Sequence, residues 1–133
     1  MAVGAALLDT SVVIALARGE IAAERLGDGP SEVIVSAVTI AGLHHGVLVA
    51  PQDVLAQRLH TLRFVEESCA VLPVDVQVAV HYGRIAADAR RLLGRRIGLG
   101  DGLIAATAVA HGLPLYTRDG DLAGLPGVHA IRV

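Results

Sequence analysis

Three aspartates stand where this chain changes from one kind of segment to another. Asp9 closes the apolar run Ala5-Ala6-Leu7-Leu8 and is followed by Thr10 and Ser11. Asp101 opens a helical stretch after the glycine-rich segment 98–100, and Asp119 follows Leu115-Tyr116-Thr117-Arg118, with Asp121 two residues further on. Taken singly, each has a structural use. Aspartate caps helix starts, a contribution of ~1 kcal/mol, and it is common in glycine-containing turns such as 119–121. Taken together, the three sit at corresponding ends of otherwise apolar segments, where a carboxylate is costly to bury without a ligand. Convergent carboxylates repel one another unless a cation neutralises them, and all-oxygen ligand sets select Mg²⁺ or Mn²⁺ over zinc. The chemistry that follows is metal-dependent phosphoryl transfer, in which one or two ions activate a water and neutralise charge on the leaving oxygen.

Other chemistries are closed to this chain. All eleven basic residues are Arg, so a Walker-type phosphate loop and Schiff-base chemistry are excluded. A single cysteine, Cys69, makes neither an internal disulfide nor a cysteine zinc site, and a cytoplasmic compartment is the simplest reading. The formal charge of −2 carries no polybasic signal, and with only three aromatic residues single-strand binding by stacked aromatic platforms is not expected. Any nucleic acid would be held by its phosphates. The candidate contacts are Arg84, Arg91 and Arg95, with Arg90 and Arg96, against the plainer reading of a solvated helix face. His44 and His45 invite a metal reading, but consecutive helical positions diverge by about 100° and imidazole competes poorly with carboxylates for a hard cation.

The elements that must position the aspartates follow from periodicity. At 133 residues and 53% hydrophobic composition the chain is one domain, 1–133, with a sizeable core. Mean hydropathy is +0.59, and residues 33–50 carry no formal charge, but their β-branched start passes into helical spacing after Ser36, which predicts a buried strand and a buried helix rather than a membrane span. No basic residue precedes the first apolar run, which argues against a signal peptide. Strands are predicted at 5–8, 33–35, 70–73, 115–117 and 128–133, the last at an edge. Helices are predicted over 12–17 with Thr10 or Ser11 as cap, over 21–26 ended by Gly27 before a Gly29-Pro30 turn, from Ser36 to Ala50, and from Pro51 to about Glu67. A long helix opened by Asp75 has an apolar seam of Val78, Tyr82, Ile85, Ala89 and Leu92, and a last helix runs from Asp101 to Gly112. Strands alternating with helices predict a mainly parallel sheet covered on both faces, whose ligands gather at the strands' carboxyl ends.

Four segments then carry a resemblance. Leu7-Leu8-Asp9-Thr10-Ser11, Val35-Ser36-Ala37-Val38-Thr39-Ile40-Ala41, Asp101-Gly102-Leu103-Ile104-Ala105-Ala106-Thr107-Ala108 and Tyr116-Thr117-Arg118-Asp119 resemble, in this order, the PIN-domain ribonucleases, most closely the VapC toxins of type II toxin–antitoxin pairs. The resemblance spans nearly the whole chain. It implies an α/β fold, a PIN-like three-layer α/β/α sandwich, and Mg²⁺-dependent endoribonuclease activity in which Mn²⁺ substitutes for Mg²⁺. The expected substrate is tRNA or ribosomal RNA. The expected partners are a small cognate antitoxin, which packs on apolar helices and sends a basic side chain into the acidic site, and a second copy of the chain. Carried over by motif, Asp9 and Asp101 are metal ligands and catalytic acids, Asp119 is the fourth family acid with Asp121 as a nearby substitute, and Thr10, Ser11 and Thr117 are substrate contacts. The second family acid, a Glu on the helix after the second strand, is missing: Gly42 stands there. That departure predicts a weakened cation site. It reads as an inactivating substitution, engineered or selected, or as a natural variant in which Asp121 or water fills the vacancy; a catalytically silent RNA- or protein-binding module is the alternative function. A phosphoacceptor receiver domain also gathers acids at strand ends but relies on a Lys that this chain lacks.

Overall fold

A computed structural model describes residues 3–22, 26 and 30–133. In chain order the elements are β1 (Val3–Leu8), α1 (Thr10–Ala17), β2 (Pro30–Ser36), α2 (Ala37–Leu48), α3 (Gln52–Ser68), β3 (Ala70–Leu72), α4 (Val76–Leu93), α5 (Leu99–Ala110), β4 (Leu115–Thr117), α6 (Gly120–Ala123) and β5 (Ala130–Arg132). The strands form one sheet in the order β3-β2-β1-β4-β5, and every pairing is parallel. The helix expected over 21–26, its Gly27 stop and the Gly29-Pro30 turn fall in part outside the described residues.

Alternation along the strands divides the core in two. Leu7, Ile34 and Leu115 point to one face, where they meet Val78, Ile85 and Ala89 of α4, Ile104, Ala105 and Ala108 of α5, and Leu122 of α6. Ala6, Leu8, Val35 and Tyr116 point to the other, against Val12 and Val13 of α1, Leu43 of α2, and Leu62 and Val65 of α3. A sheet buried on both faces needs apolar residues at successive positions, which is why its strands read as short unbroken apolar runs. The stretch 33–50 splits into the end of β2 and all of α2, and among the described residues no helix is long and apolar enough to cross a membrane.

Four local expectations are corrected. The cap of α1 is Asp9 rather than Thr10 or Ser11: the chain turns helical at Thr10, and the Asp9 carboxylate accepts from the Thr10 amide. The glycine-rich segment 98–100 does not precede the helix but begins it: Gly98 caps α5 and its carbonyl accepts from the Gly102 amide at 2.9 Å, placing Asp101 third in the helix rather than at its start. The turn at 119–121 is the opening of α6, with Asp119 as cap accepting from the Asp121 amide at 2.8 Å. Leu92 shares the seam of α4 but lies on its last turn, beyond the packed length, and is 69% exposed. Asp75 caps α4 as expected, and Gly94 ends it in the left-handed conformation (φ 65°) that a glycine adopts without steric penalty.

Candidate active site

The sheet changes winding direction between β1 and β4: β2 and β3 lie to one side of β1, and β4 and β5 to the other. In open parallel sheets a crevice forms at such a point, outside the strands' carboxyl ends. Asp9 leaves the end of β1 there and Asp119 follows β4, while the first turn of α5 brings in Asp101. Leu8 pairs with Tyr116, and the Asp9 amide donates to the Tyr116 carbonyl at 2.9 Å, so the two strand ends are held in register at the point where the acids emerge.

Asp9 is 5% exposed, and both of its carboxylate oxygens accept hydrogen bonds. One oxygen accepts from the Thr10 amide at 2.8 Å; the other accepts from the Thr117 hydroxyl at 2.9 Å and from Ser11 at 3.4 Å. Thr117, expected to touch substrate, is instead completely buried. Its hydroxyl donates to Asp9 and accepts from the Asp119 amide at 3.0 Å, so it ties two of the acids together and faces no solvent. The Thr10 hydroxyl is shared with Thr39 of α2 at 2.8 Å, linking α1 to the helix that carries Gly42, whereas Ser11 is exposed.

Asp101 carries the electrostatic signature of the site. Its pKa is held above the ordinary carboxylate value, first by partial burial of the carboxyl and then by the negative charges of Asp9 and Asp119. The residue as a whole remains solvent-accessible. Three acids from three parts of the chain thus share one electrostatic neighbourhood. Among the described residues they do not close into a ready cage: no group of three or more His, Cys, Asp or Glu side chains lies within reach of one ion.

Asp101, Asp119 and Asp121 line a small cavity of about 90 Å³ together with Arg95, Arg96, Ile97 and Gly98. Arg95 donates to the Asp121 backbone carbonyl at 2.6 Å and lies 3.8 Å from its carboxylate, so Asp121 is already paired with a cation of the chain. Ile97 and Gly98 have no chemical signature in the sequence; they are beside the acids because they lead directly into the first turn of α5, which carries Asp101. Gly42 is exposed on α2 and lines a different space, a groove of about 380 Å³ with Ile14, Arg18, Leu43, His45, Gly46 and Arg58. A Cβ added at residue 42 would meet nothing within 4 Å. The two histidines beside it stay clear of the acids: His44 lies 3.4 Å from Glu66 on the surface, and His45 lines the groove.

The family model described as PIN domain matches residues 6–128, with these acids inside it. The chain belongs to the PIN-domain family. Within it, this PIN domain is of the VapC type. It is 39% identical to Ribonuclease VapC5 of Mycobacterium tuberculosis, an alignment that covers 97% of this chain and 93% of that protein. It is 34% identical to Ribonuclease VapC4 of the same organism, with both chains covered in full. Among solved structures, the toxin–antitoxin complex VapBC-5 of M. tuberculosis matches with a TM-score of 0.78 and 38% identity over 97% of this chain and 98% of that one. DNA-bound VapBC from Salmonella typhimurium matches with a TM-score of 0.80 and 25% identity over 99% and 98%. The expected sandwich is therefore the observed one.

Proposed function

We propose that this VapC-type PIN domain is the toxin of a toxin–antitoxin pair and hydrolyses RNA phosphodiesters with a divalent cation. The observation that carries the reading is the convergence of acids at the carboxyl ends of β1 and β4: Thr117 ties Asp9 to Asp119, Asp119 and Asp101 line one cavity, and the mutual repulsion that, after partial burial, raises the Asp101 pKa is what a bound cation would relieve. Mg²⁺ or Mn²⁺ would be held by Asp101 with Asp9 or Asp119 and would supply an activated water and charge neutralisation at the phosphate. The chain's own residues do the rest. The Thr10 amide and the Thr117 hydroxyl fix the orientation of Asp9, and Thr117 sets the path of the backbone into Asp119. Arg95 restrains α6 by holding the Asp121 carbonyl, and Ser11 offers an exposed hydroxyl at the start of α1.

The named relatives are ribonucleases and the structural neighbours are toxin–antitoxin complexes, which supports both the reaction and an antitoxin partner. The groove between α1, α2 and α3 offers that partner an apolar floor with Arg18 and Arg58 beside it. Gly42 supports a second reading, a silent binding module, because the position that carries an acid in the resembling family is here a side-chain-free patch of an exposed helix.

One cleavage assay separates the two. Wild type, Asp101→Asn and Gly42→Glu are incubated with tRNA and ribosomal RNA in Mg²⁺ or Mn²⁺, and Mn²⁺ binding is titrated in parallel. The nuclease reading expects metal-dependent cleavage that falls roughly 100-fold or more in Asp101→Asn. It also expects a gain in cleavage and in Mn²⁺ affinity in Gly42→Glu, whose side chain enters open space. No cleavage by wild type or by Gly42→Glu, with no saturable Mn²⁺ binding, would establish the silent module.

A further inference from the structure

Beside the acids lies a second, larger cavity of about 460 Å³, lined by Tyr82, Ala86, Ala87 and Arg90 of α4 and by Arg96 and Ile97 of the segment leading into α5. It falls in the size range of small-ligand sites, roughly 300–1,000 Å³. Arg96 and Ile97 line both this cavity and the 90 Å³ one that contains Asp101 and Asp119, so the two spaces share a wall.

The arginines around it divide into two groups. Arg84 and Arg91 pair with Asp88, and Arg95 is anchored on Asp121. Among the described residues Arg90 and Arg96 have no carboxylate partner, and both are exposed. These two are the arginines that line the larger cavity. In a chain of net charge −2, two unneutralised guanidinium groups next to a cluster of aspartates form a local anion site that the overall charge conceals.

The shared wall is also built to tolerance. A Cβ at Gly102, the residue after Asp101, would stand 2.5 Å from the Tyr82 ring and 2.7 Å from Ile97. The missing side chain is what lets Tyr82 and Ile97 lie against α5 at the level of the acids, fixing the cavity relative to Asp101.

We propose that this cavity is a nucleotide subsite that holds a residue of single-stranded RNA next to the scissile phosphate. Arg90 and Arg96 take its phosphates, and Tyr82 with Ala86 forms the wall against its base. Guanidinium groups match phosphate geometry with paired N–H donors, and a single tyrosine face accepts any base without reading its edge. The subsite rests on the ribonuclease reading for its place in a reaction, but RNA binding at it is measurable without catalysis.

The test uses the full chain in EDTA, where no metal-dependent cleavage occurs, with fluorescein-labelled hexauridylate followed by anisotropy from 50 to 300 mM salt. The double variant Arg90→Ala/Arg96→Ala is expected to bind about 10-fold or more weakly. Its salt slope should fall by about 1.4, or ~0.7 for each lost phosphate contact on a single strand. Arg63→Ala, an exposed arginine of α3 on the opposite face of the sheet, carries a charge loss remote from the cavity and is expected to bind like wild type.

A second readout is intrinsic: the chain has no Trp and two Tyr, and Tyr116 is 3% exposed. Unlabelled hexauridylate should therefore quench tyrosine emission through Tyr82, and Tyr82→Phe should abolish the quench while keeping affinity within about twofold. A double variant that binds within twofold of wild type and keeps its salt slope would overturn the subsite, whatever happens to cleavage, and would leave the cavity to a protein partner. Wild type that shows the full binding pattern but cuts no RNA with metal restored would support the subsite while removing the nuclease reading.

Discussion

At the scale of single residues, the site is a problem of placing negative charge. Asp101 titrates above its ordinary value, so between the unfolded carboxylate value of about 4 and its higher folded value the native state binds more protons than the unfolded one. Stability therefore declines as pH rises through that window, and the penalty is complete above it. Asp101→Asn removes the charge. In EDTA it should melt at a higher temperature than wild type at pH 7, with the difference closing below about pH 4, as followed by thermal unfolding across pH. Adding Mn²⁺ at pH 7 should raise the melting temperature of wild type and leave Asp101→Asn nearly unmoved, because the ion stabilises only the form that binds it.

Thr117 poses the opposite case, a neutral group without which two acids lose their orientation. Thr117→Val keeps the volume but leaves the Asp119 amide without its acceptor and Asp9 with one donor fewer. The expected loss is about 1–3 kcal/mol in denaturant unfolding with an unchanged slope. Because the residue orients a ligand, a roughly 10–100-fold drop in Mn²⁺ affinity should accompany it.

Between elements, the critical contact is the approach of α4 to α5. Gly102→Ala drives a methyl group into the Tyr82 ring and Ile97, and overpacking of this kind costs roughly 1–3 kcal/mol. The same change at Gly42, on an exposed helix surface with nothing within 4 Å, should stabilise by roughly 0.5–1 kcal/mol through helix propensity alone. Paired urea titrations of Gly102→Ala and Gly42→Ala should thus move in opposite directions; agreement in sign would deny the close packing at residue 102. This pair also marks what was legible in the sequence. Strands such as Leu115-Tyr116-Thr117, buried on both faces, betray themselves as short apolar runs, and the amphipathic seam of α4 does so by its 3.6-residue period. The Asp-Gly step at 101–102 was legible as a motif, but the need for its glycine was not, because that need arises from Tyr82, twenty positions earlier. Likewise Thr117 was expected to be a substrate contact, since no local pattern records a hydroxyl shared between residues 9 and 119. Ile97 and Gly98 adjoin Asp101 in the chain, but nothing in their residue types marks them as part of a site.

For the whole molecule, the question is what covers its apolar exterior. On α4 the residues opposite the buried seam include Val76, 75% exposed, and Val80, 62% exposed, with exposed Gly83 following at helical spacing on the same face. An uncharged stripe of this sort on a helix whose other side is already packed gains by meeting another apolar surface. A second copy of the chain is the simplest partner, and a two-fold arrangement would bring the same stripe from each protomer together. The stripe lies in the N-terminal half of α4, away from Arg90, so self-association through it leaves the arginine end of the nucleotide cavity open. Sedimentation at micromolar concentration should show wild type as a dimer and Val80→Arg shifted to monomer. The two proteins should unfold within about 0.5 kcal/mol of each other once diluted to monomer, as expected for an exposed substitution. A Val80→Arg chain that remains as dimeric as wild type would move the interface to another surface, where Leu48 at 84% exposed or Leu99 at 64% becomes the residue to charge next.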